Sequence, residues 1–296
     1  MSYKRKSYVL VVQVAMLTVM WAHGAAAQRP LDERLPTTPD GTVKITSAVG
    51  RITVEGWARD TVAVTGTLGD PGAQLQFTSE GRETRIRVLL PEVASSSRSP
   101  TMLRVYVPRG SHVAVRSSTA NIEIEEVEGA LDLESVAGDI RIRGRPRMIY
   151  AETAGGDVDV NALSKVIRAS SLNGDVTVTG ARGYIEVSTV GGRARVAGTQ
   201  VWEGEVRSVS GDIVFRGSFD AGGSFYFESH SGDIDLTIPG DARADFDLTT
   251  ILSDRVINDF APSTERTFSI GGGGTQIRVK SFKGEIHIRE DDTAGG

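Results

Sequence analysis

Residues 131–184 read LDLESVAGDIRIRGRPRM, IYAETAGGDVDVNALSKV and IRASSLNGDVTVTGARGY, three lines of 18 residues that align without a gap. Gly138, Gly156 and Gly174 fall in register, each followed by aspartate and then by Ile140, Val158 or Val176. The same glycine recurs at Gly192, Gly211 and Gly232, and Ala120 takes its place one period earlier. Self-similarity at a short fixed period marks a structural unit stacked on copies of itself.

The rest of each unit follows from its alternation. Four residues after the glycine stand Ile124, Ile142, Val160, Val178, Val196, Phe215 and Leu236. Five residues before it stand Val115, Leu133, Ala151, Ala169, Val187, Val206 and Phe227. Period-two alternation with β-branched residues predicts half-buried strands. Each unit then holds two short strands joined by the glycine turn, and Gly144, Gly180, Gly198 and Gly217 mark a second turn. The chain is predicted to be all-β, an elongated β-solenoid (β-helix-like) of stacked short strands with an 18-residue repeat. Rungs would lie roughly 4.8 Å apart.

Three residues before the glycine, Ser117, Ser135, Thr153, Ser171, Thr189, Ser208 and Ser229 form a uniform column. Its inward parity predicts a hydroxyl ladder bonded to backbone groups of the turn. The aspartates have the opposite parity and face water. The glycines themselves read as left-handed turn residues.

The N-terminus carries Lys4, Arg5 and Lys6, an apolar stretch from Tyr8 to Trp21, and Ala25-Ala26-Ala27. That is the pattern of a cleavable secretory signal over residues 1–27. Its loss would take the formal charge from -5 to -8. An acidic exported chain is a poor nucleic-acid binder. No cysteine is present, so no disulfide can hold the chain. No later apolar run is long enough to span a membrane. The predicted order is a signal over 1–27, a linker over 28–42, the β-repeat domain over 43–289 and a disordered tail over 290–296. Regular repeats occupy about 113–238. The less regular segments 43–105 and 240–275 are expected to cover the open ends of the stack.

These residues resemble a bacterial family of exported β-strand-repeat domains grouped as candidate adhesins, a domain of unknown function. The resemblance rests on Val107-Pro108-Arg109-Gly110, then Val113, Val115, Ser117 and the Ser-x-x-Gly-Asp-Ile/Val series. The run Gly271–Gly274 leading into Ile277, Val279, Ser281 and Gly284 fits the closing repeat. It extends from about Val43 to Ile288 and implies a stacked β fold in the cell envelope, on its surface or in the periplasm. It implies no catalytic residues. Ala120-Asn121, Gly192-Arg193 and Gly284-Glu285 depart from Gly-Asp.

The residues leave three functions open. The first is a non-catalytic envelope module that offers an extended face to a protein or glycan, with no cofactor. The second is a calcium-dependent β-roll, with Asp139, Asp157, Asp175, Asp212 and Asp233 as candidate ligands, since stacked carboxylates repel and a hard cation would relieve them. The Gly-Gly-x-Gly-x-Asp pattern of such rolls is absent. The third is a polysaccharide-active enzyme using a pair such as Asp139 and Asp157 for acid–base work. Tyr150 and Tyr226 share an outward face and could form a weak binding strip. His112, His230 and His287 lack metal-ligand spacing. No nucleophile elbow or phosphate loop occurs.

Overall fold

The computed structural model describes residues 30–92, 100–253 and 255–291, which form a 24-stranded sheet with no helix among them. The signal expected over 1–27 lies outside the described residues, as does most of the tail expected over 290–296. No helix among the described residues is long and apolar enough to cross a membrane.

The sheet folds back on itself so that two columns of parallel strands face each other across an aliphatic core. One column stacks His112–Ser117, Ala130–Ser135, Met148–Thr153, Val166–Ser171 and Arg182–Thr189, so that Val113, Leu131, Ile149, Ile167 and Ile185 lie one above another. The other aligns Ile122, Ile140, Val158, Val176, Ala194, Ile213, Ile234 and Ile286. All of these are buried. The period-two pattern explains the result: each strand is short, and its alternate side chains reach the core that the next rung continues.

The second turn is not uniform. Gly144, Gly180 and Gly198 have φ of 125°, 76° and 59°, which glycine alone adopts readily. Gly217, expected in the same role, instead lies within the continuous strand Ile213–Ser229. The strand Ala194–Ser208 likewise runs on from one column into the other, with register shifts between Ala197/Gln200 and Val201/Glu203. These long strands join the two columns into one sheet. Gly204 sits in the core column between Ile185 and Phe225, and a Cβ there would lie 2.5 Å from the Phe225 ring. The missing side chain makes room for the larger ring on the next rung.

The repeat glycines correct the sequence reading. None of Gly138, Gly156, Gly174, Gly192, Gly211 and Gly232 has φ in the left-handed region. A Cβ on Gly156 would instead overlap the carbonyl oxygen of Gly138, one on Gly174 that of Gly156, and one on Gly192 that of Gly174. Glycine is required because successive rungs bring backbone against backbone at this corner.

The ends depart from chain order. Thr42–Ser47 and Arg51–Trp57 stack directly on the first regular rung, pairing Val43 with Val113 and Ile52 with Ile122. The segment between them and that rung folds outside: Glu83–Leu89 and Met102–Pro108 add parallel strands, and Gln74–Glu80 and Thr61–Thr67 close them antiparallel. Pro30–Pro36 then pairs antiparallel with Thr61–Thr67, so the stretch 28–42 expected as a linker contains a strand. Its alternating Leu31 and Leu35 are the half-buried positions. At the other end Thr275–Ser281 lies between Ile213–Ser229 and Ala244–Thr250, with Thr267–Ile270 antiparallel beyond. Antiparallel strands thus face outward on both columns at the first end and on one column at the other, where the second column ends on the parallel strand Val256–Asn258.

Candidate functional site

The corner next to the repeat glycine gathers most of the polar groups that recur from rung to rung. There the chain leaves one column and enters the other, so its amides need partners other than the ladder. Thr153 Oγ1 accepts from the Gly156 amide at 3.3 Å and donates to the Gly138 carbonyl at 3.0 Å. Ser171 repeats this with Gly174 and Gly156, and Thr189 with Gly192 and Gly174. Ser117 and Ser135 accept from Ala120 and Gly138. The hydroxyl ladder expected from the sequence is present on these rungs. At Ser208 and Ser229 it stops: both are buried, and neither Oγ has a hydrogen-bond partner among the described residues.

This difference gives a stability test. Ser171→Ala removes an acceptor and a donor from buried backbone groups and is expected to cost about 1–3 kcal/mol. Ser208→Ala removes no hydrogen bond and is expected to stay within about 0.5 kcal/mol of the parent. Urea melts compare them, and equal losses would contradict the ladder.

The aspartate column does related work on the outer side of the corner. Asp139 Oδ1 accepts from the Asp157 amide at 3.1 Å, Asp157 Oδ1 from the Asp175 amide at 2.9 Å, and Asp175 Oδ1 from the Arg193 amide at 2.8 Å. Asp212 and Asp233 do the same for Asp233 and Glu285. Asn121 serves Asp139 with an amide oxygen. Each side chain therefore holds the backbone of the next rung. The charges are separated by cations in the same region: Arg141 pairs with Asp139, and Arg193, standing between Asp175 and Asp212, pairs with Asp212 at 3.4 Å. Repulsion along the column is met by amide dipoles and guanidinium groups. Among the described residues no group of three or more His, Asp and Glu is placed to hold a metal ion. Asp139 and Asp157 stack in series along one column and do not face each other across a cleft.

The tyrosines lie under arginines. The Arg168 guanidinium sits 5.3 Å from the Tyr150 ring centre and 5.6 Å from that of Tyr184, and it pairs with Glu186 at 2.9 Å. Arg207 lies 5.6 Å from the Tyr226 ring. Tyr150 and Tyr226 share the outward face expected of them, but their faces serve cations in the same sheet. Burial and the Glu186 carboxylate push the Tyr184 phenol above its ordinary value, and burial and Glu228 do so for Tyr226. Both stay protonated near neutrality and neither is poised as a base. A hydrogen bond from Lys280 holds the Glu228 carboxyl below its usual range.

The histidines are dispersed. His287 has Nδ1 2.8 Å from Asp235 and Nε2 3.2 Å from Glu285, so its nitrogens address opposite carboxylates and cannot converge with both on one ion. His230 stacks on Phe282 with ring centres 4.6 Å apart.

One feature escaped the sequence reading. A groove of about 780 Å³ runs along the corner from Glu152 to Lys280. One bank is the column two residues before the repeat glycine, which reads Ala154, Leu172, Val190, Val209 and His230 within the groove and Val136 one rung before it. Val136, Leu172, Val190 and Val209 are 41–61% exposed. Ile251, beyond Phe282, extends the stripe. The signal was available as an apolar column next to the hydroxyl ladder.

A family model described as Toastrack DUF4097 matches residues 37–289. No curated protein matches the chain. Among solved structures, a candidate adhesin from Bacteroides fragilis shares 13% identity over 90% of this chain and 99% of its own, with a TM-score of 0.49. Candidate adhesins from Parabacteroides merdae and Parabacteroides distasonis share 10% and 13%, covering 88% and 90% of this chain and 96% and 98% of theirs, with TM-scores of 0.46 and 0.42. The family match, which spans most of the chain, carries the assignment.

Proposed function

We propose, for a chain that belongs to the Toastrack DUF4097 family, a non-catalytic role as an exported binding or scaffolding module of the cell envelope. The observation that carries this reading is how the reactive side chains are used. The aspartates hold backbone amides, the regular hydroxyls close the corner, and the tyrosines lie under arginines. What is left over is shape: a rigid stack of rungs that offers long outward columns. On this reading the stack is an elongated solenoid counted in 18-residue units, residues 1–27 are a signal cleaved after Ala27, and the partner is a component of the periplasm or the cell surface.

Protease treatment of intact cells, with lysed cells as control, tests the location. The expected result is a protein starting at Gln28 in the envelope fraction, cleaved on intact cells if surface-borne and only after lysis if periplasmic. A cytosolic protein that retains residues 1–27 would refute the export reading. Chelator should leave the melting temperature unchanged, because the carboxylates already bond to amides. A calcium-dependent rise would favour the β-roll reading with Asp139, Asp157, Asp175, Asp212 and Asp233 as ligands.

A further inference from the structure

We infer that Asn173–Gly174 is a modification site: the closed corner protects it from deamidation, and an opened corner commits it to an isoaspartyl link that bars the rung from closing again. The inference stands apart from the envelope reading.

The sequence supplies one such pair. Asn121, Asn161 and Asn258 precede Ile122, Ala162 and Asp259, whose side chains crowd the amide nitrogen that must react, whereas Asn173 precedes glycine. Glycine leaves that nitrogen open and its backbone free to turn. Asn173 is exposed. Other rungs carry Ala137, Gly155, Gly191 and Ser210 at its position, so the fold does not require asparagine there. It does require Gly174, whose Cβ would overlap the Gly156 carbonyl oxygen.

The reaction consumes only water. The Gly174 nitrogen attacks Asn173 Cγ and closes a five-membered imide. The Cγ–Nδ2 bond breaks, and Nδ2 leaves as ammonia with the proton that the Gly174 nitrogen gives up. Water then opens the ring. Cleavage of the new Cγ–N bond leaves an aspartate in the ordinary chain. Cleavage of the original peptide bond leaves an isoaspartate, with the main chain routed through the side chain.

The closed rung opposes the first step. The Gly174 N–H is donated to Ser171 Oγ at 2.9 Å, and that hydroxyl is itself fixed by donating to the Gly156 carbonyl at 2.8 Å. Asn173 Nδ2 donates to the Ala154 carbonyl at 3.0 Å, and the Asn173 amide donates to the same oxygen at 3.0 Å. The carboxamide is thus tied to the rung before and is not free to fold onto Gly174. Gly174 cannot turn to meet it, because the Gly156 carbonyl oxygen occupies the place a Cβ would take. Reaction therefore follows the fraction of time the corner spends open. An isoaspartate adds one atom to the main chain where successive rungs already stand backbone against backbone, so the modified corner cannot pack again.

The test holds the full chain in mildly alkaline buffer, folded or in urea. Peptide mass reads the exchange of amide for acid at Asn173, and labelling by an isoaspartyl methyltransferase reads the abnormal link. The unfolded chain should react at least about tenfold faster than the folded one. Ser171→Ala should speed the folded chain by at least about fivefold. Ser135→Ala loosens a corner two rungs away but leaves the Gly174 amide bonded, and should speed it less than half as much. Asn173→Ser keeps a donor of the kind Ser210 offers the Val190 carbonyl at 2.8 Å. It should refold fully after the same alkaline exposure in urea, while parent chains that carry isoaspartate stay outside the refolded fraction. Equal rates for folded and unfolded chains, equal acceleration by Ser135→Ala and Ser171→Ala, or isoaspartyl chains recovered in the native fraction would each overturn the proposal.

Discussion

Gly174→Ala is expected to abolish the native fold. A methyl group there would overlap the carbonyl oxygen of Gly156 and crowd Asp157 Oδ1, which lies 2.7 Å from the ideal Cβ position. The carbonyl cannot retreat, because it also accepts the Ser171 hydroxyl at 2.8 Å. Rungs on both sides fix the spacing, so relief would require parting the stack. Overpacking of this kind costs about 3 kcal/mol or more where backbone meets backbone. Gly191 provides the control in the next rung. Its nearest neighbour to an added Cβ is 3.7 Å away, and its φ is not in the left-handed region. Gly191→Ala should therefore melt at or slightly above the parent, by up to about 1 kcal/mol, because the unfolded ensemble narrows and nothing in the fold resists the methyl group. Thermal melts followed by circular dichroism compare the two. Wild-type melting of Gly174→Ala would show that the corner is looser than the rung geometry requires.

Val178→Asp should be equally destructive for a different reason. Val178 is fully buried, stacked between Val160 and Val196 in an aliphatic column. A carboxylate there has no cation and no amide to meet. An uncompensated buried charge costs about 3–5 kcal/mol, a large share of a domain's stability. Asp175→Asn, three residues away, keeps an oxygen for the Arg193 amide and only removes a charge from a column of like charges. It is expected to change stability by less than about 1 kcal/mol. Soluble yield and urea midpoint read both variants. Greater damage from Asp175→Asn than from Val178→Asp would invert the assignment of inside and outside faces.

The core was legible because alternation is a local property. Ile140, Ile142, Val158 and Val160 announce a buried face without reference to anything distant, and the structure buries all four. The hydroxyl ladder was legible for the same reason: Thr153 and Ser171 bond to glycines three residues on. The role of those glycines was not. A Gly in a polar corner suggests a left-handed turn, whereas the constraint here comes from the rung before and depends on how closely rungs approach. The bonding of Asp157 to the Asp175 amide was hidden likewise, because it joins residues one rung apart. Gly217 looked like Gly144 in sequence, yet a strand runs through it, and the irregularity of that strand falls a few residues on, between Phe219 and Ser224, where Gly222 has a φ of 78°. The groove depends on which of two adjacent columns the corner turns outward, and alternation stops at a corner.

The placement of Thr275–Ser281 between Ile213–Ser229 and Ala244–Thr250 has a consequence for how the molecule is made. Synthesis runs from one end to the other, but assembly cannot. Ala244–Thr250 emerges before the layer it rests on exists, and Val256–Asn258 must likewise wait for Ile286–Glu290. Thr275–Ser281 and Ile286–Glu290 are the keystone of that end. A chain lacking Thr275–Ser281 and Ile286–Glu290 would leave Ala244–Thr250 and Val256–Asn258 with nothing to close upon. The architecture thus checks for these two strands, because only a chain that includes them can finish the stack.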